Sequence, residues 1–303
     1  MVTWLHRWTV TELNFKMSSQ LSITCYSTAL FSTWVFVEPF GVLFDCGDGV
    51  TSHLLQKGRK VKNVFVSHAD RDHLGGLFQF LQLNGRPELT VHFPRDCGSF
   101  PAIEEFTKRF DPHSRGTRWV PLVGDETIEA KRNVLVRPVE NRHVSCSVGV
   151  TKSLSYVLEE KRSKLKPAYA SCSGAEIAAL RTELGVEAIL DERIEKLVAF
   201  SGDMPVENDG RFENAKVLIH EATFLNRSEL EPSNRERNLH SSLDSVMEMV
   251  GKFPVENLVL THFSSRYDKQ EIDDAIERER LRNDVAAKIH VVYPGELSRI
   301  EIG

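Results

Sequence analysis

Residues 67–76 read SHADRDHLGG. His68, Asp70, Asp72 and His73 place four metal-ligand side chains within six residues. An apolar run, Val64–Ser67, precedes them and a helical pattern, Leu74–Leu83, follows. The spacing therefore predicts a loop at a strand end, where a rigid scaffold presents functional groups. Carboxylates packed this closely repel unless a cation neutralises them. Imidazole with carboxylate suits zinc, manganese or iron. Four local groups cannot enclose two ions, so the fold has to bring distant ligands to this loop. Three candidates stand at predicted strand ends: His143 after Val134–Pro138, Asp203 after Leu197–Ser201, and His262 after Leu258–Thr261. Two ions sharing a bridging carboxylate hold a hydroxide between them and stabilise both oxygens of a phosphodiester under attack.

The cysteines point to the same donor chemistry by exclusion. There are five, Cys25, Cys46, Cys97, Cys146 and Cys172, scattered and without a CxxC pair. That excludes a disulfide framework and a cysteine zinc ribbon, and reduced thiols imply a cytoplasmic location. Residues 1–15 show no secretory signal. Ile23 to Phe44 is apolar but is interrupted by Glu38-Pro39, so it reads as two strands around a turn and not as a membrane span. The chain has 38 Lys and Arg against 43 Asp and Glu, a net charge of −5. This excludes a generally basic nucleic-acid coat and leaves room for a local patch. One such patch, Lys161, Arg162, Lys164 and Lys166, opens a segment at about 159–195 that reads as an insert between strands. Such a cluster reads either as a solvated surface or as a patch that contacts phosphates.

Other strand-like runs are Leu21–Cys25, Thr33–Val37, Val42–Asp45, Leu89–Phe93, Ser155–Leu158, Val217–His220, Lys288–Tyr293 and Ser298–Ile302. Helical patterns cover Ala102–Phe110, Gly174–Leu184, Ser242–Gly251 and Lys269–Arg282. Strands followed by helices, twice over, predict an α/β protein with two layers of sheet covered by helices.

These motifs, in this order, resemble the metallo-β-lactamase superfamily, and within it the ribonuclease Z branch, the endonucleases that process tRNA 3′ ends. VLFDCGDGV (42–50) resembles the first family motif, with Asp45 its aspartate. SHADRDHLGG resembles the second, His143 the third, SGD (201–203) the fourth and THFSSRY (261–267) the fifth. HEATF (220–224) and NLHSS (238–242) resemble two loops of the ribonuclease Z branch. The resemblance implies a four-layer αββα sandwich formed by residues 1–303 as a single domain, with a short arm at about 159–195. It implies two divalent metal ions, zinc foremost. His68, Asp70 and His143 would hold one, Asp72, His73 and His262 the other, and Asp203 would bridge. Asp45 would orient a ligating histidine. Glu221 and His240 would relay a proton to the leaving oxygen, and Asp72 would help place the nucleophile. The implied reaction is removal of 3′ trailers from precursor tRNA, with a homodimer as the working form.

Three departures stand out. Asp70 occupies a position where the family has histidine, which favours manganese or iron relative to zinc. The segment SSQLSITCYSTALFST (18–33) lacks the pattern of the glycine-rich, proline- and basic-containing loop that meets the tRNA 3′ end in the family. The arm begins KRSKLK but has no glycine- and proline-rich tip. These departures favour an alternative, a phosphodiesterase of small or cyclic nucleotides on the same fold. A non-catalytic binding homologue, suggested only by Asp70, is the third expectation.

Overall fold

The computed structural model describes residues 20–111, 116–208, 210–230 and 239–303. The reading of residues 1–15, and Asn238 of the NLHSS motif, lie outside them. The first part of the chain runs β1 (Leu21–Thr28), β2 (Ser32–Val37), β3 (Val42–Phe44), α1 (Val50–Leu54), β4 (Asn63–Phe65), α2 (Arg71–Leu74), α3 (Leu77–Asn84), β5 (Thr90–Pro94), α4 (Ser99–Phe110) and β6 (Arg118–Leu122). The second part runs β7 (Ile128–Lys131), β8 (Val134–Glu140), β9 (Leu154–Leu165), α5 (Gly174–Leu184), α6 (Val186–Ile189), β10 (Leu190–Phe200), β11 (Val217–Glu221), α7 (Leu243–Lys252), β12 (Asn257–Thr261), α8 (Lys269–Asn283), β13 (Lys288–Val291) and β14 (Leu297–Ile302).

The strands form two sheets of seven, ordered β14-β1-β2-β3-β4-β5-β6 and β13-β12-β11-β10-β9-β8-β7. In each, four consecutive neighbours run parallel and the remaining pairs run antiparallel. The final strand returns to the first sheet and lies antiparallel to β1, with Leu21 opposite Ile302.

The alternation of side chains along a strand explains the layering. On β2, Val35 and Val37 join the core between the sheets, while Trp34 and Phe36 join a second core on the outer face. On β10, Val198 and Phe200 face the first sheet and Ala199 faces the helices. Leu77, Phe80, Leu81 and Phe100 of α3 and α4 cover one outer face; Val246, Met247, Ile272 and Ala275 of α7 and α8 cover the other. The result is the four-layer αββα sandwich. Its centre is aromatic: the Phe44 ring stacks on Phe200 at 5.2 Å and on Tyr156 at 5.8 Å. Deleting one such buried ring costs about 3–5 kcal/mol.

Several sequence expectations need correction. Ile23–Phe44 holds three strands and not two, in line with the three strand-like runs read there: besides the expected break at Glu38-Pro39, where Gly41, at φ +63°, leads into β3, residues 29–31 turn the chain from β1 into β2. The helix expected over Leu74–Leu83 is two, broken at Gly75-Gly76. A Cβ on Gly76 would collide with the carbonyl oxygen of Gly47, so glycine there lets the 42–50 loop pack directly on the metal-ligand loop. The half-exposed strands β6 and β7 escaped notice, since few of their side chains reach the core.

The segment at 159–195 is built largely of strand. β9 and β10 continue outward as an antiparallel ribbon, with Arg162 opposite Arg193 and Lys164 opposite Asp191. The apolar pattern stops at Leu158 because the ribbon leaves the core, while the hydrogen-bond ladder continues. Only the tip, with α5 and α6, lies off the ladder; a capping box between Ser173 and Glu176 begins α5. Among the described residues, no helix is long and apolar enough to cross a membrane.

Candidate metal centre

The site gathers at one edge of the two sheets, where strand ends from both halves converge. β4 leads into Ser67 and His68, β8 into His143, β10 into Asp203 and β12 into His262. The backbone of Leu154, at the start of β9, donates to the Ser67 carbonyl at 2.8 Å and locks the two sheets together here. Gly202, at φ +59°, brings the Asp203 loop against Ser67, whose Cβ would lie 2.8 Å from any Cβ added there. Two strand-end residues, Asp45 and His262, hold left-handed backbones at φ 55° and 63°. Each such conformation costs about 1–3 kcal/mol and persists only where surrounding contacts impose it.

The seven candidate ligands come together in two overlapping groups. His68, Asp70 and His143 form one; Asp72, His73 and His262 form the other. Asp70 Oδ2 lies 3.6 Å from Nε2 of both His68 and His143. Asp72 Oδ2 lies 3.5 Å from His73 Nε2 and 3.3 Å from His262 Nε2. Asp203 Oδ2 sits between the groups, 3.7 Å from His68, 3.2 Å from His73 and 3.3 Å from His262.

The outer ring nitrogens decide how these imidazoles present themselves. His73 Nδ1 faces Asp45 Oδ2 at 2.7 Å, and His143 Nδ1 faces the Leu239 carbonyl at 2.8 Å. Both partners only accept, so each Nδ1 carries the proton. His68 Nδ1 lies 2.9 Å from the Ser67 hydroxyl, which spends its own proton on Asp45. His262 Nδ1 lies 2.9 Å from the Thr223 hydroxyl, which donates to Glu221 at 2.6 Å. All four rings are thus held as Nδ1–H tautomers, with Nε2 lone pairs facing the carboxylates. His68 Nε2 and His143 Nε2 are buried with no hydrogen-bond partner among the described residues. Buried lone pairs of this kind need a partner. Four imidazole nitrogens and three carboxylates, one shared, fit two divalent cations.

Electrostatics agree at His68, while at His73 burial is outweighed by Asp203 and Asp45, which lift the ring well above its ordinary value and favour positive charge at that point. Burial, then the neighbouring His73 and His143, push the His68 imidazole down to about 4. The His143 and His68 rings hold the Asp70 carboxyl well below its usual range. Burial alone would raise Asp72 and Asp203, but the imidazoles beside them hold both low and ionised. A second group lies beside the first. Glu221 Oε1 is 3.2 Å from His240 Nδ1 and accepts from the Met204 backbone at 2.9 Å. Burial opposes charge on His240, yet Glu221 lifts it to about 9. The Asp70 side chain is 44% exposed and His240 22%, against 10% or less for Asp72 and Asp203, so the cluster opens on the Asp70 and His240 side.

The basic residues are elsewhere. The ribbon runs away from the cluster, so Lys161 and Lys164 stand about 23 Å and 33 Å beyond Leu154 along β9. Arg162 pairs with Glu160 and Glu195, at 2.7 Å and 3.1 Å. Lys166 donates to the carbonyls of Glu187 and Ala188. Residues 159–195 hold six Lys and Arg against eight Asp and Glu, a net of −2. Sequence reasoning missed Ser67, Thr223 and the Leu239 carbonyl as partners of the imidazoles. Each lies inside or next to a quoted motif, but nothing in a hydroxyl or a carbonyl marks its target. It also missed the turn between β1 and β2, where the Leu30 backbone donates to Asp72 at 3.0 Å.

A family model described as a beta-lactamase superfamily domain matches residues 41–185. The chain is 31% identical over 279 residues to a chloroplastic tRNase Z of Arabidopsis thaliana, covering 88% of this chain and 73% of that protein. It is 29% identical over 286 residues to a ribonuclease Z of Methanococcus aeolicus, covering 82% and 85% respectively. Among solved structures, the metallo-β-lactamase fold protein YhfI of Bacillus subtilis matches with a TM-score of 0.60 at 15% identity, over 92% of this chain and 99% of that one.

Proposed function

The chain belongs to the ribonuclease Z branch of the metallo-β-lactamase superfamily and is a metal-dependent hydrolase; from that premise we propose that it is a phosphodiesterase that removes 3′ trailers from precursor tRNA. The observation that carries this reading is the set of four imidazoles held as Nδ1–H tautomers around three ionised carboxylates. His68, Asp70 and His143 would hold one divalent cation, Asp72, His73 and His262 the other, with Asp203 placed to serve both. Zinc is the expected metal, with Asp70 widening the choice to manganese or iron. When bound, such a pair polarises the phosphodiester and activates water for attack.

The chain's own groups supply the rest. Asp72, held in place by the Leu30 backbone N–H, orients the attacking water. Glu221 keeps His240 protonated at neutral pH, and His240 hands that proton to the leaving oxygen. Glu221 itself is fixed by the Met204 and Thr223 N–H groups, so it turns His240 without moving. Asp45 orients His73 and, through Ser67, His68. The whole chain acts as one domain. Of its arm cations, Lys161 and Lys164 are the exposed pair available to RNA, while Arg162 is ion-paired and Lys166 is half-buried.

The net charge of −2 over residues 159–195 favours a second reading, hydrolysis of small or cyclic nucleotides at the same centre. One assay separates the two. A 3′-extended precursor tRNA, a cyclic nucleotide and an aryl phosphodiester are offered to the protein with zinc, with manganese and without metal, and any RNA cut is mapped to the nucleotide. Metal-dependent cutting next to the acceptor stem is expected. Turnover of the cyclic nucleotide with the tRNA left intact replaces the first reading by the second.

A further inference from the structure

A cavity of about 660 Å³ opens beside His143. Arg142 and Val144, the two chain neighbours of His143, both line it, and so does Leu239, whose carbonyl holds the His143 ring. The cavity therefore adjoins the candidate ligands through the backbone of residues 142–144 and through Leu239, and no candidate ligand side chain lines it. Its charge differs from that of the rest of the molecule. Arg142, Lys152 and Arg211 line it against Glu140 and Glu207, a local net of +1 in a chain of net −5.

The arrangement of those charges is specific. Glu207 is 5% exposed and carries two guanidinium groups, those of Arg142 and Arg211. Arg211 is tucked in and also donates to the Glu140 carbonyl at 2.8 Å. Arg142 donates to Glu207 through Nε, and its side chain is 74% exposed. Its two terminal nitrogens have no partner among the described residues. A buried carboxylate thus fixes the direction of an arginine whose outward fork faces open space. A planar fork held in this way suits the two oxygens of a phosphate. The lining also includes residues 145–149, which end in a turn at Val148-Gly149, with Ser145 and Ser147 exposed and the Val148 side chain fully in solvent. Hydroxyls and a small apolar group can accept a sugar and a base of any identity.

We propose that this cavity is a subsite for the nucleotide adjoining the scissile phosphodiester, with Arg142 holding that nucleotide's phosphate. This rests on the phosphodiesterase reading of the metal centre, and it gives that centre a preference for a chain of nucleotides over an isolated diester. Arg142 is a binding residue and takes no part in bond cleavage.

The test is equilibrium binding of an end-labelled acceptor-stem RNA with a 3′ extension, its linkages at the cut protected as phosphorothioates. The metal-loaded wild type is compared with Arg142→Ala and Arg142→Lys across a range of salt, and metal content is measured alongside. Arg142→Ala should weaken binding about tenfold. It should also flatten the slope of log K against log salt by about 0.7, the signature of one lost contact to single-stranded phosphate. Arg142→Lys should restore the slope and part of the affinity. Both variants should keep their metal. Unchanged affinity and slope in Arg142→Ala overturn the subsite, and so does a loss of metal that accounts for the weaker binding. A wild type that binds this RNA in an Arg142-dependent way but leaves the unprotected RNA uncut sinks the endonuclease reading and leaves the subsite standing.

Discussion

The Nδ1 of His73 lies 2.7 Å from Asp45 Oδ2, and neither side chain has any exposure to solvent. Asp45 also accepts from the Ser67 backbone at 2.6 Å and from the Ser67 hydroxyl at 2.9 Å. One carboxylate therefore aims two imidazoles, His73 directly and His68 through Ser67. Asparagine is the informative replacement, because it tolerates the left-handed backbone at this position. Asp45→Asn should lower metal affinity about 10–100-fold, as read from the chelator concentration that strips the protein. An unchanged midpoint would mean that Asp45 only supports the fold.

Asp70 bears on metal choice. Its carboxylate sits 3.6 Å from two imidazole nitrogens, a span that a shared cation closes. Elemental analysis should find about two metals per chain in the wild type and about one in Asp70→Ala. Asp70→His should return to two and move the preference toward zinc. Two metals in Asp70→Ala with full activity would reject it as a ligand.

Proton donation should separate from metal binding. His240→Ala and Glu221→Gln should each lower kcat by about 10² or more while metal content stays at the wild-type level. Glu221→Gln should also remove the charge that lifts His240 to about 9. NMR titration of the His240 ring should then show it neutral at pH 7.5. A ring still protonated there would place the source of its raised pKa elsewhere.

A pH effect on stability should arise away from the centre. His92 stacks on Phe65 at 4.4 Å, and burial first, then Arg118, pushes its imidazole down to about 3 from the ordinary 6.5. Below pH 6.5 the unfolded chain binds a proton that the folded chain refuses. Stability is therefore lost as pH falls from about 6.5 toward 3, at about 1.4 kcal/mol per unit. Urea midpoints at pH 7.5 and 5.0 should show a drop about 2 kcal/mol smaller in His92→Phe than in wild type. Equal drops would assign the effect to other groups.

The centre was more legible in the sequence than the scaffold around it. His68, Asp70, Asp72 and His73 are crowded into one loop, and ligand chemistry follows from crowding without knowledge of the fold. His143, Asp203 and His262 were found because each ends an apolar run, and the structure does bring them to that loop. What stayed hidden was whatever depends on pairing across space. The ribbon beyond Leu158 has no apolar alternation, so only the ladder opposite Leu190–Lys196 reveals it. The patch from Lys161 to Lys166 looked basic along the chain, but β10 sets Asp191 and Glu195 beside it. Arg142 looked like any surface arginine until Glu207, 65 residues further on, was seen to hold it.

The two ligand groups close at different moments in the life of the chain. A polypeptide growing from its N-terminus has every donor of the His68, Asp70 and His143 group once residue 143 is made. The Asp72, His73 and His262 group waits for His262, 119 residues later. That residue reaches its position only after β12 has docked beside β11, with its backbone N–H on Ser27 Oγ in β1. Uptake of a second cation at that group would therefore wait until β12 is in place. A chain that stops between Asp203 and His262 has donors for one ion and lacks the strand that completes the other.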